Sequence, residues 1–332
     1  MNLVTGGTGM LGMRLLFDLS KLPEATRAIV RSKNSLVNVK KIFSFYGDTS
    51  GSLFEKIEWV DGNILDVASI ENAMQGCQKV YHCAAVVSFV ASENKNMFKT
   101  NVEGTANVVN VCLANGNVKL CYVSSVAALG KNDNHQSIDE DTKWKSNPLN
   151  SNYAISKYLA EREVWRGVEE GLEAVIVNPT IILGAAHNEN SSGSLMRRLA
   201  SGSPFYTRGS NGFVDVRNVA DTMIQLMHGN TFSQRFILNG ENLSYKKLLD
   251  QSAEIWKVSK PKFRAKEWLL EIAWRMAWFV SLFNKNRPFL TKETVAAGNM
   301  NTVFSGNKLG KIMPATFYNV NESLMYYSRF YN

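Results

Sequence analysis

The stretch LVTGGTGMLG, residues 3–12, places glycines at positions 6, 9 and 12 directly after a short apolar run. The apolar run predicts a strand and the residues from Met10 onward predict a helix, so the glycines lie in a strand-to-helix turn. Such a turn lets the backbone approach a pyrophosphate, which the first N–H groups of the helix then bind. Glycine-rich turns are common, but this position between a strand and a helix favours dinucleotide binding. The predicted contacts are Gly6, Thr8, Gly9, Met10, Leu11 and Gly12.

The composition is that of a globular protein with one large domain or two coupled domains: 332 residues, of which 45% are hydrophobic. No uninterrupted apolar run is long enough to span a membrane, and the first residues do not form a signal-peptide pattern, so we expect a cytoplasmic location. The four cysteines form no C-x-x-C pair and are expected to be reduced thiols. The four histidines are scattered, so no metal site is predicted.

A net charge of +8 is typical of proteins that bind an anionic partner, such as a nucleic acid, a membrane surface or an anionic ligand. Because the sequence has no block of Lys and Arg and no nucleic-acid-binding motif, we expect no nucleic-acid partner. The basic excess is interpreted as a solvated surface, part of which serves an anionic cofactor.

Predicted strands alternate with predicted helices through the first half of the chain. The strands fall at 1–4, 27–30, 57–60, 79–83, 120–123 and 174–177, and the main helices at 97–114 and 153–170. This alternation predicts an α/β fold with a Rossmann-type, doubly wound parallel sheet, whose ligands bind beyond the carboxyl ends of the strands.

The alternation ends after Pro179, although strand-like segments at 213–216 and 235–238 are expected to return to the sheet. We therefore expect residues 1–180 to form a dinucleotide-binding domain, to which residues 212–240 return. Residues 181–211 and 241–332 are expected to form a smaller, mostly helical substrate-binding lobe.

Tyr153 and Lys157 are four residues apart in a predicted helix and therefore share one face. A phenol with an ordinary pKa of about 10 is a poor acid or base at neutral pH, and a neighbouring ammonium group lowers that pKa. Tyr153 is thus a candidate to give a proton to a carbonyl oxygen during hydride transfer. Ser125, at the end of the fifth predicted strand, is a candidate to orient that oxygen. Residues of these types also occur without a catalytic role, in amphipathic helices or as caps at strand ends.

Several stretches, taken together, resemble one known family, the extended short-chain dehydrogenases/reductases. They are the glycine turn, VYHCAA at 80–85, NVEGT at 101–105, Ser124-Ser125 with Tyr153 and Lys157, NPT at 178–180 and FVDVR at 213–217. The resemblance covers residues 1–240 well and the remainder loosely. Its details are most similar to dihydroflavonol reductase and 3β-hydroxysteroid dehydrogenase.

The resemblance implies that Tyr153 is the acid/base, that Lys157 lowers its pKa and holds the nicotinamide ribose, and that Ser125 orients the carbonyl. Ser124 is the competing choice for that last role. Further cofactor contacts implied by the family are Asn63, Ile64, Ala84, Ala85, Asn101 and Pro179. The family more often has Asp where Asn63 stands. Many relatives form dimers through the helices that resemble 97–114 and 153–170, so we expect a homodimer.

The end of the second predicted strand, Val30-Arg31-Ser32-Lys33, has no acid that would bind ribose hydroxyls and select NAD. Arg31 and Lys33 suit the 2′-phosphate of NADP, because a guanidinium binds a phosphate with two hydrogen bonds. We therefore predict NADP rather than NAD, against the alternative of an exposed basic loop.

The hypothesis for the reaction is an NADP-dependent reduction of a small, apolar carbonyl compound. Dehydratases of the resembling family carry an Asp-Glu pair beside the active-site hydroxyl, whereas Val126-Ala127-Ala128 stand here. A nucleotide-sugar epimerase is the alternative, because five arginines are available to hold a diphosphate: Arg197, Arg198, Arg208, Arg217 and Arg235. A non-catalytic NADP-binding sensor is the second alternative, although such relatives tend to lose the tyrosine or the lysine.

The segment WLLEIAWRMAWF, residues 268–279, is apolar on nearly all sides. It is interpreted first as a buried lid helix and second as the wall of an apolar substrate pocket. Contact with a membrane surface ranks last, although Lys266, Arg275 and Lys285 flank the segment.

Overall fold

The computed structural model describes residues 1–130, 137–147, 150–187, 193–229, 231–283, 290–314 and 316–331. Its strands are β1 (Asn2–Thr5), β2 (Thr26–Val30), β3 (Ile57–Asp61), β4 (Lys79–His82), β5 (Lys119–Val123), β6 (Ala174–Pro179), β7 (Ile181–Leu183), β8 (Phe205–Tyr206), β9 (Ser210–Asp215), β10 (Gln234–Leu238), β11 (Glu241–Ser244) and β12 (Phe263–Arg264).

The helices are α1 (Met10–Leu19), α2 (Leu36–Tyr46), α3 (Ser52–Glu55), α4 (Val67–Met74), α5 (Asn94–Phe98), α6 (Gly104–Asn115), α7 (Asn152–Glu169), α8 (Gly193–Ser201), α9 (Val216–His228), α10 (Tyr245–Trp256), α11 (Glu267–Phe283), α12 (Lys292–Asn299), α13 (Asn307–Gly310) and α14 (Val320–Tyr331). Short 3₁₀ turns lie at Lys33–Ser35, Ala91–Glu93 and Val126–Ala128, and a π-helical turn lies at Lys99–Glu103.

The large sheet is parallel throughout, with the strand order β10-β6-β5-β4-β1-β2-β3. The chain runs outward from β1 through β2 to β3 and then crosses back to β4 on the other side of β1. The connections that follow β1 and β4 therefore leave the sheet in opposite directions and open a crevice at the carboxyl ends of these strands. This arrangement confirms the predicted Rossmann-type sheet, and it places the glycine turn, which follows β1, at the crevice.

Alternate side chains of the strands fill two cores, one on each face of the large sheet. Leu3 and Val80 pack on the face covered by α4, α6 and α7, whereas their neighbours Val4 and Tyr81 pack on the face covered by α1, α2 and α9. All four side chains are fully buried. Because both faces are covered, the strands are nearly continuous apolar runs, as is typical of a parallel sheet.

The second half of the chain departs from the prediction in one strand. β10 returns to the large sheet beside β6, as predicted for 235–238. The segment predicted at 213–216 does not return, because β9 lies between β7 and β11 in a separate three-stranded sheet, so this prediction was wrong. An apolar strand pattern indicates burial but not the strand with which the segment pairs.

Helices dominate residues 245–331, which confirms the predicted helical character of the C-terminal region. The helix predicted over 97–114 is divided by the π-helical turn Lys99–Glu103, which carries Asn101. Such turns are frequent at functional sites. The domain boundaries near residues 180, 211 and 240 stay a prediction.

Candidate active site

The glycine turn forms a cradle that a larger side chain would fill. Gly6 has a φ of +71°, and a Cβ there would lie 2.6 Å from the backbone nitrogen of Ala84. A Cβ on Gly12 would lie 2.2 Å from the carbonyl oxygen of Gly6, so this position requires glycine. Helix α1 begins at Met10 with Gly9 as its N-cap, which contributes no side chain. The first N–H groups of α1 are therefore donors for an anion at the turn, and the cradle fits a pyrophosphate.

The other predicted contacts in this turn differ in what they offer to a ligand. Met10 and Leu11 are buried in the core, which leaves their backbone groups for binding. Gly9 is exposed and Thr8 is half-buried, so the Thr8 side chain is accessible at the turn.

Arg31 and Lys33 are exposed just beyond the end of β2. Arg31 borders an open cavity of about 360 Å³, whose other lining residues are Asp61, Gly62, Asn63, Asp66 and Ser69. Lys33 forms an ion pair with Asp61 (3.2 Å), which offsets part of its charge. Asn63 is exposed at this cavity, whereas Ile64 is buried in the core. Arg31 is therefore the better placed of the two cations for a phosphate.

Asn101 fixes the segment that follows β4. Its Oδ1 accepts a hydrogen bond from the Val86 N–H (2.7 Å), and its Nδ2 donates to the Val86 carbonyl (2.9 Å) and to the Ser156 hydroxyl (3.0 Å). Both ends of the amide are thus bound by the protein and buried, so Asn101 positions the segment that follows β4. Its predicted contact with the cofactor stays a prediction. In the same segment Ala84 contacts the glycine turn, and Ala85 is exposed.

The two candidate serines have different partners. Ser124 is buried and donates a hydrogen bond to Oε2 of Glu161 (2.5 Å). Ser125 is half-buried, accepts a hydrogen bond from the Ala127 N–H (3.1 Å) and lies near enough to Tyr153 to affect the pKa of its phenol. Of the two serines, Ser125 is therefore the one beside the tyrosine.

Tyr153 lies in the first turn of α7, which Ser151 caps by accepting a hydrogen bond from the Ala154 N–H (3.1 Å). Its ring meets the ring of Phe89 edge-on, with 5.8 Å between the centroids. Burial raises the pKa of Tyr153, and the neighbouring Ser125 hydroxyl lowers it in part. At neutral pH the side chain is therefore a neutral phenol with a proton to give.

Lys157 is buried one helical turn after Tyr153, and its Nζ donates to the Tyr122 hydroxyl (2.8 Å) and to the Val123 carbonyl (2.8 Å). Burial lowers the pKa of Lys157 to about 7, although the carboxylate of Glu161 acts in the opposite direction. The expectation that Lys157 would bring the pKa of Tyr153 below its ordinary value is not met. The cost of burying a phenolate dominates that pKa, and the ammonium group is bound to Tyr122.

A chain of buried polar groups extends from Lys157 towards the glycine turn. Tyr122 lies beside Thr105, the Thr105 hydroxyl is hydrogen-bonded to Nε2 of His82 (3.0 Å), and Nδ1 of His82 is hydrogen-bonded to the Thr5 hydroxyl (2.6 Å). Burial lowers the pKa of His82 to about 3, so its ring is neutral at physiological pH. This series of buried polar groups connects the lysine on α7 with the end of β1. It therefore fixes the candidate catalytic side chains of the site relative to the glycine turn.

Comparison with known proteins agrees with this geometry. The sequence profile of the NAD-dependent epimerase/dehydratase family matches residues 2–235, which is more than half of the chain. The chain belongs to this family. Its relatives also confirm the resemblance to the extended short-chain dehydrogenases/reductases and, among them, to dihydroflavonol reductases.

Two relatives and one solved structure illustrate this membership. A protein of Synechocystis sp., provisionally named dihydroflavonol 4-reductase, is 31% identical over 82% of this chain and 77% of its own length. Sterol demethylase protein B of Methylococcus capsulatus is 26% identical over 78% of this chain and 76% of its own length. The crystal structure of gox2253 has a TM-score of 0.79 at 26% identity, over 99% of this chain and 98% of that one. The family and these relatives indicate an NAD(P)-dependent oxidoreductase or epimerase.

The sequence patterns did not indicate the role of Glu161, a buried carboxylate behind the family's catalytic motif. Besides the serine described above, it accepts hydrogen bonds from Asn178 (2.8 Å) and Arg235 (2.9 Å). Asn178 also donates to the Ser125 carbonyl (3.0 Å), so Glu161 stabilises the backbone that presents the Ser125 hydroxyl. One signal was available, because Glu161 follows Lys157 by four residues and lies on the same face of the helix.

Two further residues lie near the carboxyl ends of the central strands. Tyr122, in β5, binds Lys157, a role that the strand pattern did not indicate. Pro179 is buried at the end of β6, opposite Leu238 of β10. Its predicted contact with the cofactor stays a prediction.

Proposed function

We propose that this protein is an NADP-dependent reductase that adds a hydride and a proton across the C=O bond of a small, apolar aldehyde or ketone. The observation that carries the proposal is the placement of Ser125 beside the phenol of Tyr153. This pair lies beyond the end of β5, and the glycine cradle follows β1 in the same parallel sheet, with β4 between the two strands. The site for chemistry and the site for a dinucleotide therefore share one edge of the sheet.

The residues at this edge fit NADP, which when bound as NADPH supplies the hydride. The cradle of Gly6 and Gly12 would hold the pyrophosphate against the N terminus of α1. Arg31, at the open cavity beyond β2, would bind the 2′-phosphate. Lys33 would contribute less because it is paired with Asp61.

Lys157 would hold the nicotinamide ribose. In its protonated form Lys157 has three N–H donors, of which two bind Tyr122 and Val123 in the described part of the chain. A ribose hydroxyl would accept the third. Because the lysine is buried and its partners are fixed in β5, it would bind the ribose with little loss of side-chain freedom.

The side chains of Ser125 and Tyr153 orient the carbonyl group and provide the proton. Hydrogen bonds from both hydroxyls to the carbonyl oxygen polarise the C=O bond and fix its direction. Burial keeps Tyr153 protonated in the resting protein. As negative charge develops on the oxygen, Tyr153 transfers its proton and the alcohol forms. The resulting phenolate regains a proton from water after the product leaves.

An apolar substrate is supported by the surface beside the tyrosine. Val87 and Phe89, in the segment that follows β4, are 39% and 37% exposed. Phe89 also contacts the ring of Tyr153, so the apolar surface adjoins the reactive hydroxyl. The names of the two relatives above refer to a dihydroflavonol and a sterol, which supports the same class of compound.

A nucleotide-sugar epimerase is less well supported. Arg217 pairs with the buried Asp215 (2.6 Å) and stacks on Tyr318, with 3.8 Å from the guanidinium carbon to the ring centroid. Arg235 pairs with the buried Glu161 (2.9 Å). Two of the arginines that were expected to hold a sugar diphosphate are therefore bound within the protein.

The proposal is tested by measuring NADPH oxidation with the purified protein, a panel of apolar aldehydes and ketones, and a set of nucleotide sugars. We expect turnover of a carbonyl class. Tyr153→Phe should lower kcat by a factor of about 10² to 10⁴, because it removes the proton donor and keeps the ring. Tyr158→Phe is the matched control in the same helix, since the Tyr158 ring stacks on Trp144 (4.5 Å), and it should keep full activity.

Two outcomes would contradict this proposal. Interconversion of a nucleotide sugar without net oxidation of NADPH would identify an epimerase. Full activity of Tyr153→Phe on a carbonyl substrate would show that another group donates the proton.

A further inference from the structure

Helix α11 presents an apolar face to solvent. Trp268, Ile272 and Met276 recur at helical spacing and are 59%, 50% and 63% exposed, and Leu269 beside them is 42% exposed. The half-buried apolar and aromatic positions lie on the opposite side of the helix, at Leu270, Trp274 and Ala277. The interpretation of this segment as a buried lid helix was therefore wrong for this face. Its apolar side chains are left for a partner outside the chain to cover.

A basic segment leads directly into the apolar helix. In the stretch KPKFRAK, residues 260–266, a Lys or Arg stands at every second position, and all four of these cations are exposed. Residues 260–276 contain five Lys or Arg against two Glu. Phe263, within the basic segment, is 60% exposed and contacts the exposed Phe205, with 6.0 Å between the ring centroids. We define the α11 surface as Lys262, Phe263, Arg264, Lys266, Trp268, Leu269, Ile272 and Met276.

We propose that the α11 surface docks the protein on a bilayer that contains anionic lipids. Exposed Trp, Leu and Ile side chains together with Lys and Arg are typical of helices that lie in the membrane interface. The cations would attract acidic headgroups, by about fivefold in affinity each, and the apolar side chains would enter the boundary of the acyl chains. In the part of the chain that the structure describes, no helix combines the length and apolar character needed to cross a bilayer. Docking therefore places α11 in the plane of the interface.

The charge of this surface disfavours a second copy of the chain as its partner. A two-fold interface with the two α11 helices parallel would bring the basic segments of both copies close together, and like charges would repel. With the helices antiparallel, the basic segments would lie at opposite ends of the apolar contact, where α11 supplies few acidic groups to pair with them. An anionic bilayer supplies the opposite charge along the same surface. It also covers the apolar side chains, which monomeric proteins seldom leave exposed as a continuous patch.

Helix α11 is connected to the N terminus of α7 through α12. Helix α11 packs on α12, and Glu293 of α12 accepts a hydrogen bond from the backbone N–H of Asn152 (3.5 Å). Asn152 directly precedes Tyr153. Docking through α11 would thus bring the end of α7 that carries the tyrosine near the lipid phase, from which an apolar substrate could be taken. Docking itself does not depend on the proposed reaction.

The experiment is sedimentation of the full chain with vesicles of phosphatidylcholine alone or of phosphatidylcholine mixed with phosphatidylglycerol. We expect the protein to sediment with the mixed vesicles only, and to be released as salt screens the headgroups. Ile272→Gln combined with Met276→Gln should weaken binding about tenfold or more, because the inserted apolar surface is lost. Both residues are exposed, so these substitutions should leave the thermal unfolding temperature unchanged.

Matched controls separate the α11 surface from general effects of the substitutions. Met325→Gln changes another exposed methionine, on α14 and 51% exposed, and should leave binding unchanged. Lys262→Glu combined with Lys266→Glu should weaken binding to the mixed vesicles at least about tenfold. Lys311→Glu, an exposed charge reversal elsewhere, should have a smaller effect.

Three results would overturn the proposal. The first is no binding to the mixed vesicles, or equal binding to both kinds. The second is binding that the substitutions at 272 and 276 leave intact. The third is a dimer in lipid-free solution, detected by sedimentation velocity and abolished by Met276→Gln, which would assign the surface to a second copy. None of these measurements uses enzyme activity, so failure here would leave the proposed reaction to its own test.

Discussion

The large sheet and the C-terminal helix α11 place their apolar side chains differently. Leu3 in β1 and Leu15 in α1 are fully buried, whereas Trp268 and Met276 in α11 are more than half exposed. In the first region, packing on both faces of the sheet fixes the glycine cradle and the ends of the strands where Ser125 stands. In the second region, the apolar face has no comparable cover among the described residues. In the large sheet, buried side chains hold the candidate site in place. On α11, apolar side chains stay exposed and are available to a partner outside the chain.

The largest difference between the two regions should appear in stability. Leu15→Ala should lower the free energy of unfolding by about 2–5 kcal/mol, because it leaves a cavity in the packed core. Ile272→Ala, a truncation on the exposed face of α11, should change it by no more than about 0.5 kcal/mol. Urea denaturation of both variants measures the two values. Similar losses in both would show that the α11 face is packed in solution and would remove the contrast.

A second prediction compares two cations in the sheet region, Arg31 and Lys33, of which only Lys33 has an ion-pair partner in the described structure. Arg31→Ala should raise the KM for NADPH about tenfold while the KM for NADH stays nearly constant, because a charge-assisted pair with the 2′-phosphate is lost. Lys33→Ala is the control and should have a smaller effect, since Lys33 is already paired with Asp61. Steady-state kinetics with both cofactors gives the ratio. Equal changes for NADPH and NADH would contradict the assignment of Arg31.

The third prediction is a dependence of stability on pH caused by the buried Lys157. Burial lowers its pKa to about 7, from an ordinary value of 10.5 in the unfolded chain. Between these two values the folded protein binds fewer protons than the unfolded chain, so this group makes folding more favourable as the pH rises. The slope is at most about 1.4 kcal/mol per pH unit.

Thermal unfolding of the wild type and of Lys157→Met between pH 7 and pH 9 measures this contribution (the window follows from the pKa shift). The wild type should gain stability relative to the variant as the pH rises. Lys95→Met, at an exposed position on α5, should follow the wild type. A difference between wild type and Lys157→Met that stays constant with pH would show that the lysine keeps its charge in the folded state.

Much of the site could be predicted because its residues lie in short local patterns. The glycines of the cradle, the tyrosine and lysine of one helical face, and the serine at a strand end each depend on a few neighbouring residues. The parallel sheet followed from the alternation of strands and helices, and the structure confirms it. The buried Glu161 was missed because its importance comes from Asn178 and Arg235, which are distant in the chain.

Local patterns predicted the strands of the first half and the helices that carry the site, since strand and helix patterns and turn chemistry act between residues that are close along the chain. The contacts between distant segments come from the tertiary structure. It places Ser125 beside Tyr153, binds the Ser124 hydroxyl to Glu161 and joins β9 to a second sheet. It also turned the apolar face of α11 to solvent. Pairing and burial depend on segments far apart in the chain, so no local pattern contains them.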